Sequence, residues 1–165
     1  MVPDPASSSG VRIREYEAAD RAFVLSLVPQ LLAAGSPPWR DAGQMVETDR
    51  FVIGQALDGV ATGSVVLIAV AGDGRRLGFT HLCPEADYYS RAACGHIADI
   101  VVAPDQRGRG VGQALIAAAQ EWARDRGYRL LSLNVLLENM PARQLYERLG
   151  FSPETIRYVK VLKEA

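Results

Sequence analysis

The stretch PDQRGRGVGQAL, residues Pro104 to Leu115, places three glycines and two arginines in twelve positions, between an apolar run and a helix-like one. A strand feeding a glycine-rich turn into a helix gathers unpaired backbone N–H groups and the positive end of the helix dipole at one point. That point suits an anion. Glycine at 108, 110 and 112 lets the backbone approach closely because no Cβ intervenes, while the guanidinium groups of Arg107 and Arg109 match phosphate oxygens. A pyrophosphate is the natural guest. Two familiar phosphate motifs are excluded. A Walker A loop ends Gly-Lys-Ser/Thr, where Gly112, Gln113 and Ala114 stand here. The dinucleotide fingerprint needs G-x-G-x-x-G, whereas Gly108, Gly110 and Gly112 give G-x-G-x-G, and no acidic residue ends the next strand-like run.

Other side chains with chemistry lie on either side of this loop. His81 and Cys83 mirror Cys94 and His96 across an intervening segment, and residues two apart on paired strands share a face, so four zinc-type ligands can converge. His-x-Cys is not a common zinc spacing, and reduced cysteines usually act as small buried apolar groups. No metal and no Cys83–Cys94 disulfide are expected. The segment between them, CPEADYYSRAAC, reads as a loop whose Glu85, Asp87, Tyr88 and Tyr89 can cradle an ammonium through carboxylates and rings. Tyr146 falls on the stripe Ala142, Leu145, Tyr146, Leu149, where periodicity alone makes it a core residue.

The elements that must hold these residues alternate. VRIREY (Val11 to Tyr16) reads as a half-buried strand, Asp20 as the cap of a helix through Phe23, Leu27 and Leu31, and Met45 to Leu57 as a second helix. SVVLIAV, the turn AGDG and RRLGFTHL form an antiparallel hairpin. GHIADIVV (Gly95 to Val102) is the strand before the glycine loop, and a long helix follows from about Gly108 to Arg126 with the stripe Val111, Leu115, Ala119 and Trp122. RLLSLNV (Arg129 to Val135) is a strand, PARQLYERLG a short helix and TIRYVKVL a last strand. An antiparallel meander followed by a βαβ crossover predicts an α/β (α+β) fold with a central mixed sheet.

Length and charge bound the rest. With 165 residues and 48% hydrophobic content the chain suits one domain, expected over residues 11–165 behind a disordered Pro/Ser-rich leader at 1–10. A formal net charge of -1 offers no global basic field for nucleic acid or an anionic membrane, and no apolar run reaches the length of a membrane span. A cytoplasmic location is expected. Only Lys160 and Lys163 are lysines among the basic residues, which with the abundant alanine hints at a GC-rich bacterial source.

IVVAPDQRGRGVGQALI resembles the signature stretch of the GNAT superfamily of acyl-CoA N-acyltransferases, whose R/Q-x-x-G-x-G/A pattern is met by Arg107, Gly110 and Gly112. LNVLLENMPARQLYERLGF is similar to the downstream pattern of that family, met by Asn139, Ala142, Leu145, Tyr146, Gly150 and Phe151. The resemblance implies a single domain with a splayed mixed sheet, acetyl-CoA as co-substrate and an amine as acceptor. It implies that the backbone of Ile100, Val101 and Val102 pairs with the pantetheine arm like an added strand. Arg107, Gly108, Arg109, Gly110, Val111, Gly112 and Gln113 would hold the pyrophosphate, with Asn139 and Arg143 on the cofactor arm. Tyr146 would protonate the departing thiolate, and a backbone N–H of Ile100 or Val101 would polarise the thioester carbonyl. The general base is expected at His96, on the strand before the loop and sharing strand parity with Ala98 and Ile100. Asp99 has the opposite parity and becomes a base only where a bulge rotates it. Acceptor choice is expected from GSPPWRDAGQ and from the segment carrying Glu85 to Tyr89.

The leading function is transfer of an acetyl group from acetyl-CoA to a primary amine by direct attack in a ternary complex. A non-catalytic acyl-CoA sensor of the same fold, a protein or peptide acetyltransferase and a nucleotide-dependent oxidoreductase are the alternatives. A homodimer is compatible with the sequence, and nucleic acid and membrane partners are not expected.

Overall fold

The computed structural model describes residues 10–163, so the expected leader lies outside the described residues except for Gly10. Five strands form one mixed sheet in sequential order: β1 (Val11–Glu15), β2 (Val65–Ala71), β3 (Arg76–Ala86), β4 (Ala93–Val102) and β5 (Leu131–Leu133). The first four are antiparallel neighbours, and β5 lies parallel to β4 across a helical crossover. Four helices flank the sheet: α1 (Arg21–Leu27), α2 (Ala42–Leu57), α3 (Val111–Asp125) and α4 (Met140–Arg148).

Period-two patterning builds the two layers. On one face of β2 lie Val66, Ile68 and Val70, packed with Phe79 and Val101 against Val24 and Leu27 of α1 and Ile53 and Leu57 of α2. Val65, Leu67 and Ala69 face the other way and share clusters with the α3 stripe Val111, Leu115, Ala119 and Trp122, as that stripe predicts. Burial of each such side chain contributes about 1.5–3 kcal/mol.

Several boundaries depart from the sequence reading, each for a local reason. The helix expected to run through Leu31 gives way to a 3₁₀ turn at Val28–Leu32, where Pro29 has no N–H to donate. Asp20 precedes α1 but its side chain does not cap that helix; it accepts from the Glu17 N–H at 2.9 Å and from two arginines. The second helix starts three residues early, at Ala42, because Asp41 Oδ1 accepts the Gln44 N–H at 2.6 Å. The segment CPEADYYSRAAC is half strand: pairing continues to Ala86 opposite Ala93, leaving Asp87–Ala92 as the loop, closed by Ser90 on Asp87. Finally TIRYVKVL is not a strand, for residues 151–162 are neither helix, turn nor strand. Favourable side chains make no strand without a partner edge.

Candidate active site

The glycine loop begins after β4 with a 3₁₀ turn at Pro104–Gln106. Gly108 and Gly110 sit at φ +73° and +80°, left-handed values that hold the chain outside the helix, so α3 starts at Val111 rather than near Gly108. A Cβ at either glycine would meet nothing within 4 Å, so their role is conformational. Gly112 is different: a Cβ there would lie 3.4 Å from Leu145 Cδ2, which brings α4 close to the start of α3. Gln113 stands in the first turn of α3 and is exposed, as are Arg109 and Arg107. The guanidinium of Arg107 donates to Gln30 Oε1 at 3.0 Å, tying the loop to the 3₁₀ turn after α1.

β4 and β5 part company beside this loop. Their parallel register covers Gly95 with Leu131, His96 with Ser132 and Ile97 with Leu133. From Asp99 to Val102 β4 pairs only with β3 among the described residues, leaving four residues with one free backbone edge, while Ala98 is in neither register. The side chain of Val101 is buried against the α1/α2 layer, and those of Ile100 and Val102 pack toward α3. What the strand offers on the open side is backbone.

A bulge changes the reading of β4. Leu82 pairs with Ile97 but the preceding His81 pairs with Asp99, so Ala98 is the extra residue. Leu82 and Ile97 pack toward α3, which turns their neighbours His81 and Cys83, and hence the cross-strand partners Asp99 and His96, to the opposite face. The expected parity of His96 with Ile100 is therefore overturned, since Ile100 packs toward α3. Asp99 shares the face of His96 instead.

On that face His81 is buried, with Nδ1 3.0 Å from Asp99 Oδ2 and with Nε2 enclosed and unpartnered among the described residues. His96 is also buried, its Nδ1 2.8 Å from Ser132 Oγ and 3.6 Å from Glu85 Oε2. The Ser132 hydroxyl also lies 3.4 Å from the Gly95 carbonyl; when it donates there and accepts from His96 Nδ1–H, His96 Nε2 keeps its lone pair. Asp49 of α2 joins the group: burial, and then the charge of Asp99, push its carboxyl pKa up. It lines a hollow of about 360 Å³ with Arg40, Gln44, Met45 and Thr48, which includes part of the first segment expected to choose the acceptor.

Burial raises the Cys83 and Cys94 thiols, and among the described residues no three His, Cys, Asp or Glu side chains come together as metal ligands. Asp87 is taken up by Ser90, whose N–H and hydroxyl hold its carboxyl below the usual range. Tyr88 and Tyr89 stay exposed and meet edge to face at 5.2 Å.

Tyr146 stands on α4 with its ring 6.0 Å from Phe151, and Phe151 packs in the cluster containing Ile97 and Leu133, where β4 and β5 separate. Burial pushes its phenol pKa up. Asn139 caps α4, its Oδ1 accepting the Ala142 N–H at 3.3 Å, and Arg143 donates to the Leu137 carbonyl at 3.2 Å. The sequence reading missed Asp49, Ser132 and the link between His81 and Asp99. Ser132 needed the β4/β5 register, His81 with Asp99 needed the β3/β4 register and its bulge at an ordinary alanine, and Asp49 needed the packing of α2 over the sheet.

Comparison with known proteins agrees with this architecture. The model of the acetyltransferase (GNAT) family matches residues 30–151. An aminoglycoside N(6')-acetyltransferase type 1 from Klebsiella aerogenes is 33% identical over 143 residues, 85% of this chain and 88% of that protein. Other curated relatives match over shorter stretches, and the chain spans 38% and 27% of the length of two of them. Among solved structures, a GCN5-related N-acetyltransferase from Ralstonia eutropha superposes with a TM-score of 0.70 at 22% identity, over 93% of this chain and 100% of that one. AAC(6')-Iy in complex with the bisubstrate analog CoA-S-monomethyl-acetylneamine superposes with a TM-score of 0.67 at 26% identity, over 94% and 99%. With that family matched over well more than half of its length and along a relative of nearly equal extent, the chain belongs to the GNAT family of acetyltransferases.

Proposed function

We propose that the protein transfers an acetyl group from acetyl-CoA to a primary amine, by direct attack with both substrates bound. The reading is carried by one observation: the free edge of β4 from Asp99 to Val102 leads, through the short 3₁₀ turn, into the left-handed glycines at the start of α3. A stretch of four residues with one open backbone edge suits an extended, amide-bearing arm, and the loop suits the diphosphate at the end of that arm. Acetyl-CoA carries both, and supplies the activated acyl carbon.

In this reading Ile100, Val101 and Val102 bind the arm through the backbone, and a backbone N–H of Ile100 or Val101 polarises the thioester carbonyl. Arg107 to Gln113 take the phosphates, and the Asn139 amide nitrogen, free of its capping duty, and Arg143 face the cofactor. Asp99 or His96, brought to one face by the bulge, takes a proton from the acceptor ammonium so that the nitrogen lone pair can attack. The C–S bond breaks and Tyr146, kept protonated by burial, gives its proton to the sulfur. The carboxylates of Asp49, Glu85 and Asp99 around the acceptor side favour a cationic polyamine. The aminoglycoside N(6')-acetyltransferase relative supports an amino sugar as that acceptor. The need for acetyl-CoA puts the reaction in the cytoplasm of the source, read as bacterial.

The test is a thermal-shift screen followed by thiol release with a panel of amines. Acetyl-CoA and CoA should stabilise the chain, by roughly 2.7 kcal/mol at a hundredfold excess over Kd, and NAD and ATP should do so little. Thiol release should be fastest with aminoglycosides and should fall about 10²–10⁴-fold in Tyr146→Phe with acetyl-CoA affinity retained. Stabilisation by NAD as large as that by CoA would overturn the assignment, and binding without release to any amine would leave an acyl-CoA sensor.

A further inference from the structure

His81 is a buried polar group to which the reaction as read gives no part. Its Nδ1 lies 3.0 Å from Asp99 Oδ2, while its Nε2 is enclosed and finds no partner among the described residues. These surroundings fix where the ring proton sits. On Nε2 the proton would be an enclosed donor without an acceptor, with the Nδ1 lone pair turned on a carboxylate oxygen. On Nδ1 it is donated to Oδ2, and only a lone pair is left enclosed. The neighbouring Thr80, fully buried, donates its hydroxyl to the Asp99 carbonyl at 2.9 Å. β3 therefore grips Asp99 by both side chain and backbone, immediately after the bulge at Ala98 interrupts the ladder.

Asp99 stands where the open edge of β4 begins, next to Ile100, whereas His96 lies in the stretch still paired to β5. Its side chain is 13% exposed, and among the described residues its Oδ1 accepts no hydrogen bond. We propose that His81 is a positioning residue for the acyl transfer: by donating Nδ1–H to Oδ2 it holds the Asp99 carboxylate, turned by the bulge onto the acceptor face, with Oδ1 presented to the acceptor ammonium. This rests on the acetyl-transfer reading above, with Asp99 as the base. The proton passes from the ammonium nitrogen to Oδ1 and frees the lone pair that attacks the thioester carbon; the imidazole keeps its own proton throughout. Asp49 of α2 and Cys83 of β3 feel the charge of Asp99, and His96 and Glu85 share its face. Among the described residues His81 alone of these groups is within hydrogen-bond distance of that carboxylate.

Nitrogen–proton correlation spectra of the imidazole rings test it together with steady-state kinetics. The chain has two histidines, and His96→Gln identifies the other ring. In the wild type His81 should carry its proton on Nδ1, and an Nε2–H tautomer overturns the proposal whatever the activity. His81→Phe keeps a ring without a donor, so kcat should fall on the order of 10²-fold with KM for acetyl-CoA unchanged. The acidic limb of kcat/KM should move to higher pH in that variant, because a carboxylate that loses a donor binds a proton more readily. His81→Asn, whose amide N–H takes the place of Nδ1–H, should recover most of the rate and bring the limb back. Equal losses in the two variants, or an unmoved limb in His81→Phe, overturn the proposal and leave His81 a packing residue. An acidic limb that persists in Asp99→Asn, with thiol release by the wild type intact, overturns the positioning role and spares the reaction. A wild type that releases no thiol with any amine overturns both.

Discussion

A single extra residue decides which acid and base groups meet. Without the bulge at Ala98, strand parity would set His96 against one face and Asp99 against the other; with it, both stand on the side away from α3. His96 has a proton-accepting Nε2 if Ser132 keeps its Nδ1–H, while Asp99 is held by His81 at 3.0 Å. The two make different predictions for the pH profile. If Asp99 takes the proton, Asp99→Asn should lower kcat/KM about 10²–10⁴-fold and erase its acidic limb, with His96→Ala leaving that limb in place. If His96 takes it, the limb should go with His96→Ala, and the deficit should shrink as pH rises and free amine accumulates. A profile of kcat/KM against pH for the two variants separates the cases. Survival of the acidic limb in both would remove each from the role of base.

At the scale of elements, the loop between β4 and α3 carries the strongest expectation. Gly110 adopts φ +80° and ψ 0° at the N-cap of α3, and open space surrounds the position where a Cβ would be. Gly110→Ala should cost about 1–2 kcal/mol of backbone strain. It should also weaken CoA more than a short pantetheine thioester lacking the diphosphate, which titration calorimetry with both ligands would measure. Equal losses for the two would reject the loop as a phosphate cradle. This loop was legible in the sequence because glycine spacing reports backbone conformation directly. So was the α3 stripe, whose four residues are all buried. The parity of β4 was not, since a bulge is set by pairing with β3 and leaves no mark at Ala98. Nor was the fate of TIRYVKVL: composition gives the preference for a strand, whereas pairing depends on an edge the sequence does not name. Asp20 misled for a similar reason. An acidic residue before a helix has the pattern of a cap, and its true partners lie on β1 and β3, one of them 56 residues away.

That carboxylate matters to the whole molecule. Asp20 is fully buried, takes Arg14 Nη1 at 2.6 Å and Nη2 at 2.9 Å, and also accepts from Arg76 Nε and the Glu17 N–H. It therefore joins edge strand β1 to β3 and to the start of α1. The hydrogen bond from Arg14 comes first, with those of Arg76 and the Glu17 N–H behind it, and together they hold its carboxyl far below the usual carboxylate range. A pKa depressed in the folded state gives stability that is fully present above the unfolded value of about 3.9 and is lost as pH falls toward the folded one. Removing the charge with Asp20→Asn leaves two arginines facing a neutral partner, and loss of one member of a buried pair costs about 3–5 kcal/mol. The exposed flank of Arg76 argues for the lower end. At neutral pH the variant should melt roughly 6–12 °C below the wild type for a chain of this size. Below about pH 4 the wild type should lose stability faster than the variant, because only the wild type has that carboxylate to protonate, so the two curves should converge. Calorimetric melting of both proteins from neutral pH down to about pH 2 measures this. A gap that stays constant across the range would mean that Asp20 stabilises the sheet through packing alone and that its charge contributes nothing.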